Sequence, residues 1–261
     1  MKVLVTGAYS GIGYKLGCGL ARSGHVVYMT TETDEQLNEL RKKIKDEMVE
    51  VHTFKMDIST DDILLVDDLE IDCLINQAGV GLGGSILYMD IEVLRNNYEV
   101  NVFASFNLLK RVYHNMVERG VKGKLFVTSS VAAYLPFPFL GCYTSSKAAI
   151  SALCRSIRKE LEYLDNGITI SVIEPGAYYT GFNQRMIESK NIYLNKDSLF
   201  YENRKSINRL QKNLFRFIER DNLDDLIEKV ICEVDSEKPK FMIRCPWYIS
   251  MLLKIYFLFW Y

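Results

Sequence analysis

Short apolar runs alternate with longer segments of mixed polarity along almost the whole chain. The runs are Lys2–Thr6, His25–Thr30, Val49–Met56, Ile71–Asn76, Lys124–Thr128, Ile168–Ile173 and Lys240–Arg244. Helical patterning fills the gaps: to Ser23 after a glycine-bearing turn, over Asp34–Lys45, over Val93–Arg119 with a break near Asn101, over Tyr143–Leu164 and over Leu223–Val234. Such a rhythm is satisfied by a parallel sheet buried between two helical layers. The expected fold is therefore α/β: a doubly wound, mostly parallel sheet of seven strands with helices on both faces.

No linker rich in Pro, Gly or Ser divides the 261 residues, so a single domain over 1–261 is expected. Two stretches break the rhythm. Residues 178–221 carry Phe182, Tyr193, Phe200, Tyr201, Phe215 and Phe217. An insertion after a strand end is where a doubly wound fold builds a substrate lid; the alternative is a surface helix pair that buries its own aromatics. The second stretch is the apolar tail 247–261, in which Lys254 is the only charge. It falls short of the roughly 20 apolar residues of a membrane span. Three roles are open to it: packing against its own chain or a sister subunit, peripheral contact with a membrane, and the wall of an apolar pocket. The expectation is that protein covers most of its aromatic area, near the substrate entrance.

Met1-Lys2 runs into an apolar stretch too short for a signal-peptide core, and a cytoplasmic location is expected, with membrane association through the tail as the alternative. Lys+Arg 32 against Asp+Glu 33 gives no basic excess, so no nucleic-acid partner is expected. Cys18, Cys73, Cys142, Cys154, Cys232 and Cys245 include no CxxC pair and are read as small buried hydrophobes. His25, His52 and His114 are scattered and suggest no metal site.

The turn Thr6-Gly-Ala-Tyr-Ser-Gly-Ile-Gly13 links the first strand to the first helix. Gly7 permits a tight turn, Gly11 close approach of a pyrophosphate, and Gly13 close helix-to-strand packing, while the helix N-terminus offers free N–H groups to phosphates. Gly7, Tyr9, Ser10, Gly11, Ile12 and Gly13 are thus candidate dinucleotide contacts. At the end of the second strand Thr31 and Glu32 should meet the adenosine ribose. A carboxylate there favours the 2′-hydroxyl of NAD over the 2′-phosphate of NADP. NAD is therefore slightly favoured. Asp57, with Ile58, ends the third strand, where it can accept an adenine amino hydrogen or simply cap a helix.

Tyr143 and Lys147, four residues apart, share one helix face, and Ser130 precedes them after the fifth strand. A phenol is a poor base at neutral pH. A neighbouring ammonium favours the phenolate, so Lys147 is expected to lower the pKa of Tyr143 and let it exchange a proton with an alcohol or ketone.

Taken together these pieces resemble the short-chain dehydrogenase/reductase family, in order and over essentially the whole chain. Asn76-Gln-Ala-Gly79 is similar to the family's Asn-Asn-Ala-Gly signature, with Gln77 replacing the second Asn. Asn101 matches its active-site asparagine, and Ser130, Tyr143 and Lys147 match its catalytic trio, 13 residues separating Ser130 from Tyr143. Pro175-Gly176 with Thr180 resembles the segment at the nicotinamide end. The resemblance implies a Rossmann-type fold, cofactor contacts from Asn76, Ala78, Gly79, Tyr143, Lys147, Pro175, Gly176 and Thr180, and hydride transfer to or from a carbinol carbon without a metal. It further implies that Tyr143 is the acid/base, that Ser130 polarises the carbonyl, that Lys147 holds the nicotinamide ribose, and that Asn101 supports a proton path to Lys147. A homodimer or homotetramer is implied as well.

The stretch Val131–Leu140, between Ser130 and Tyr143, is almost wholly apolar and stiffened by two prolines. It points to a bulky apolar alcohol or ketone of steroid, retinoid or acyl-chain type. Alternatives are a small polar or sugar-like carbonyl, for which Asn183 or Gln184 could supply contacts, and a catalytically silent binding or membrane-surface protein of the same fold.

Overall fold

The structure, a computed structural model, describes residues 1–135 and 137–260, with the side chains of Phe259 and Trp260 excepted. Seven strands form one sheet in the order β3-β2-β1-β4-β5-β6-β7, and every neighbouring pair is parallel. They are β1 Lys2–Val5, β2 Val26–Thr31, β3 His52–Lys55, β4 Cys73–Asn76, β5 Lys124–Thr128, β6 Thr169–Pro175 and β7 Met242–Cys245. The nine α-helices among the described residues are α1 Gly11–Arg22, α2 Asp34–Glu47, α3 Ile91–Tyr98, α4 Ser105–Glu118, α5 Gly141–Leu164, α6 Phe182–Ser189, α7 Arg204–Ile218, α8 Asp224–Asp235 and α9 Tyr248–Trp260. The expected doubly wound fold is present, with strand limits shifted by up to three residues.

The inner strands bury both faces, which is why their runs read as apolar rather than alternating, whereas the edge strand β3 keeps His52 and Lys55 exposed. Val3, Val5, Phe126 and Ile243 face one helical layer with α1 and α8; Leu4, Leu74, Leu125 and Val172 face the other with α4 and α5. Helix α1 lies close to the sheet because Gly17 has no side chain: a Cβ there would stand 2.6 Å from Met29 Sδ.

Strand order reverses between β1 and β4. In such folds the crevice outside the carboxyl ends of the strands at this reversal is the usual ligand position. The long helical region 93–119 is indeed interrupted at Asn101: α3 and α4 are joined by a π-helical turn, Glu99–Ala104. Such turns re-aim a side chain at a functional position.

Of the roles open to the tail, packing against its own chain is met in part. The tail is helical as α9, but its own chain covers it along one face only. Leu253 is buried and the Phe257 ring meets Tyr134 edge-on at 5.8 Å, whereas Trp247 is 75% exposed and Leu258 79%. The reason lies in the topology. Strand β7 is the sheet edge, so a helix leaving it meets its own chain on one side only. Tyr261 lies outside the described residues. Among the described residues no helix is long and apolar enough to cross a membrane. Of the cysteines, Cys232 is exposed and the other five are buried.

Candidate active site

The glycine turn is closed by backbone contacts. Gly7 has φ +61 and Gly11 φ +58, in the left-handed region that favours glycine. A Cβ on Gly7 would meet Ala78 Cα at 2.8 Å, and one on Gly13 would meet Gly7 O at 2.6 Å. The β1 and β4 loops are stapled together at this point, because Thr6 Oγ1 accepts from the backbone N–H of both Gln77 and Ala78 at 3.0 Å. Ser10 precedes α1 without a side-chain cap, and the first turn holds no acid. Its free N–H groups therefore face the crevice with nothing anionic beside them, a fit for a pyrophosphate. Thr180, from the segment after β6, closes over Gly11, whose Cβ would lie 3.1 Å from it. Tyr9 turns away, its hydroxyl donating to Glu39 while Lys43 Nζ sits 4.1 Å from its ring centre.

At the ribose end Thr31 is buried and donates to Thr33 O at 3.1 Å, so its hydroxyl is spent locally. Glu32 is exposed, with its backbone N–H on Gln36. Asp57 Oδ1 accepts from Ser59 N and Oγ, at 2.9 and 2.6 Å, and so caps a turn beside the buried Ile58.

The structure brings Asn101, Ser130, Tyr143 and Lys147 together. Lys147 Nζ donates to Thr128 O at 2.9 Å and stands 5.9 Å from the Tyr143 ring centre. Gly79 makes room for it: a Cβ there would lie 3.4 Å from Lys147 Nζ and 3.0 Å from Asn101 Oδ1. Asn101, placed by the π turn, holds the Val80 backbone from both sides at 2.8 Å and donates to Ser146 Oγ at 3.0 Å. Helix α5 is pinned to the end of β5 through serines. Ser151 Oγ donates to Ser129 Oγ at 2.6 Å, and Ser129 Oγ donates to Lys147 O at 2.9 Å. Ser130 Oγ accepts from Ala132 N at 3.1 Å. Asn76 lies deeper and braces α4 through Ser105. Pro175 is buried, and Gly176 donates to Cys245 O at 2.8 Å.

One expectation is reversed. Burial pushes the Tyr143 phenol up to about 12, with the Ser130 hydroxyl, its hydrogen-bond partner, pulling the other way. Burial brings Lys147 itself down to about 8, so it loses its charge well before the phenol would ionise. Desolvation penalises both charges, and the neutral phenol is the stable form.

Sequence reasoning put Phe182 and Phe215 in the lid region and Gln77 in the signature, but gave none of them, nor Met186, a contact in the site. Phe182 stands 5.6 Å from Tyr143, ring centre to ring centre. Gln77 accepts from Thr128 Oγ1 at 2.7 Å, which ties β4 to β5 beside the lysine. Met186 and Phe215, from α6 and α7, join Leu140 and Tyr143 in a small apolar cluster. Aromatic density in 178–221 pointed to the region, but no local pattern told which rings turn inward. The amide nitrogens of Asn183 and Gln184 donate to Glu219 at 2.8–2.9 Å, while Gln184 Oε1 is buried with no hydrogen-bond partner among the described residues.

The short chain dehydrogenase family model matches residues 1–191. The chain belongs to this family. Among its relatives, oxidoreductase YusZ of Bacillus subtilis is 32% identical over 222 residues, 80% of this chain and 77% of its own. An NADPH-dependent 3-dehydrocapnine reductase of Ornithobacterium rhinotracheale is 30% identical over 225 residues, again 80% and 77%. A solved short-chain dehydrogenase/reductase of Burkholderia phymatum, in complex with NAD, shares the fold with a TM-score of 0.80 at 20% identity, covering 97% of this chain and 91% of its own. As a family member the chain is an NAD(P)-dependent oxidoreductase acting on CH–OH groups.

Proposed function

We propose that this enzyme interconverts a bulky apolar ketone and its secondary alcohol, with Tyr143 as acid/base. The observation that carries the reading is the apolar packing around Tyr143. Phe182, Met186, Phe215 and Leu140 pack there, while the amide nitrogens of Asn183 and Gln184 are engaged by Glu219. The bound nicotinamide cofactor supplies or accepts the hydride. Tyr143 donates its proton to the carbonyl oxygen during reduction, and a phenol held neutral is ready to do so. Ser130 orients that oxygen through its hydroxyl. Lys147, buried beneath the tyrosine, holds the ribose side of the cleft, and Asn101 fixes the 79–80 backbone opposite it.

Turnover of apolar ketones and of aldose sugars with the same cofactor tests this reading. The expected kcat/KM is at least about tenfold higher for the apolar series, given about 1–3 kcal/mol per well-placed apolar group. Phe182→Ala should raise KM for that series several-fold and leave cofactor binding intact. Better turnover of the sugars would overturn the assignment.

For the cofactor, exposed Glu32 at the end of β2 supports NAD over NADP. Fluorescence titration should show tighter binding of NADH than of NADPH. Glu32→Arg should narrow or reverse the difference, because it exchanges a repulsive charge for an attractive one. A native preference for NADPH above about tenfold, or 1.4 kcal/mol, would refute the reading.

A further inference from the structure

Helix α7 and the tail helix α9 each expose side chains whose chemistry the catalytic site does not use. Helix α7 contains five basic residues and no acidic one. Lys205, Arg209, Lys212 and Arg216 recur at intervals of four, three and four residues, which places them on one face, and all four are exposed. Among the described residues none of them makes an ion pair with an acid. Like charges one turn apart repel one another, so the stripe weakens the isolated helix and favours an anionic partner. Flanking it on the solvent side are Leu210, 69% exposed, and Phe217, 89% exposed.

Helix α9 supplies the apolar counterpart. Trp247, Met251, Ile255 and Leu258 follow one another at helical spacing and point outward, with exposed Lys254 beside them. The two helices flank the same loop. Gln211 of α7 donates to Pro138 O at 2.9 Å, and Phe257 of α9 meets the ring of Tyr134. Four residues separate these contacts, at most about 14 Å of extended chain. Both helices also border the cleft: Phe215 of α7 packs in the cluster with Tyr143, and Ile249 of α9 lies against Gly176.

We propose that α7 and α9 form a docking face for an anionic lipid surface, with the basic stripe at the headgroups and the α9 side chains, Leu210 and Phe217 in the acyl boundary. Cations beside exposed aromatic and aliphatic side chains are what such a surface recognises. A second copy of this chain fits less well, because a two-fold contact over this face would bring the basic stripe towards its own twin. The active-site mouth would then open towards the bilayer. This face is independent of the substrate assignment, since lipid binding can fail with ketone reduction intact.

Sedimentation of the full chain with phosphatidylcholine vesicles, with and without phosphatidylserine, tests the proposal. Binding should be at least about tenfold tighter with phosphatidylserine and should weaken as salt is raised. The charge-reversed variant K205E/R209E/K212E/R216E should lose at least about tenfold of that affinity, as should I255E/L258E, with NADH binding unchanged as a check on folding. Salt dependence of the unmodified chain gives a readout that needs no variant. Equal affinity for both vesicle types, or no capture by either, would overturn the proposal. So would a dimer that I255E/L258E dissociates while vesicles capture nothing, since the face would then be a subunit contact.

Discussion

Replacing Tyr143 with phenylalanine is expected to lower ketone turnover at least about a hundredfold, equivalent to about 2.7 kcal/mol of lost transition-state stabilisation. The ring would stay packed against Phe182, with centres 5.6 Å apart, so the substitution removes the hydroxyl and little else. Cofactor affinity should change by less than about threefold, because the glycine turn and the α1 N-terminus are untouched. Steady-state kinetics at saturating cofactor, paired with a fluorescence titration of NADH, separates the two effects. Near-native turnover would remove Tyr143 from the chemistry. The pH dependence adds a second check. Reduction needs the phenol protonated, and burial holds it so up to about 12. Loss of the Tyr143 proton therefore should not limit reduction anywhere near neutral pH, and a fall in rate towards pH 8 would be traced to Lys147 instead.

The second large effect is expected at Gly7. Valine there would have to hold φ near +61, and its Cβ would press on Ala78 Cα at 2.8 Å. Backbone cannot swing aside as a long side chain can, so the β1 and β4 loops must separate at the staple made by Thr6. We expect NADH affinity to fall at least about tenfold, and strain of this kind to cost about 1–3 kcal/mol of stability. Gly24→Val is the matching control. Gly24 has φ +84 but nothing within 4 Å of its Cβ position. It should lose stability to strain alone and keep its cofactor affinity. Equal loss of NADH binding in both variants would show that the Gly7 contact has no special bearing on the cradle.

Much of the fold was legible because each buried strand had to be apolar on both faces, and β5 matches its sequence run residue for residue. The break in the helix at Asn101 was legible too, although its π-helical form was not. Helical periodicity put Tyr143 and Lys147 on one face without any knowledge of the tertiary structure. Two things were hidden for physical reasons. The ionisation of Tyr143 depends on how completely the fold excludes water from it and from Lys147, and spacing along a helix carries no such information. The fate of the tail depended on β7 being an edge strand, which sets how much protein is available to cover it. Its apolar composition argued for burial, but the topology offers only one covered side.

The serine pins between α5 and β5 bear on how such an enzyme can change. Ser129, Ser151 and the Lys147 carbonyl lock the proton-handling residues to the sheet, whereas α6 and α7 reach them through apolar side chains, Phe182, Met186 and Phe215 among them. Reaction and recognition are thus mechanically uncoupled. Substitutions in 182–218 can recut the pocket for a different ketone without shifting Tyr143, so laboratory selection for new substrates should accumulate changes there and leave residues 129, 147 and 151 untouched.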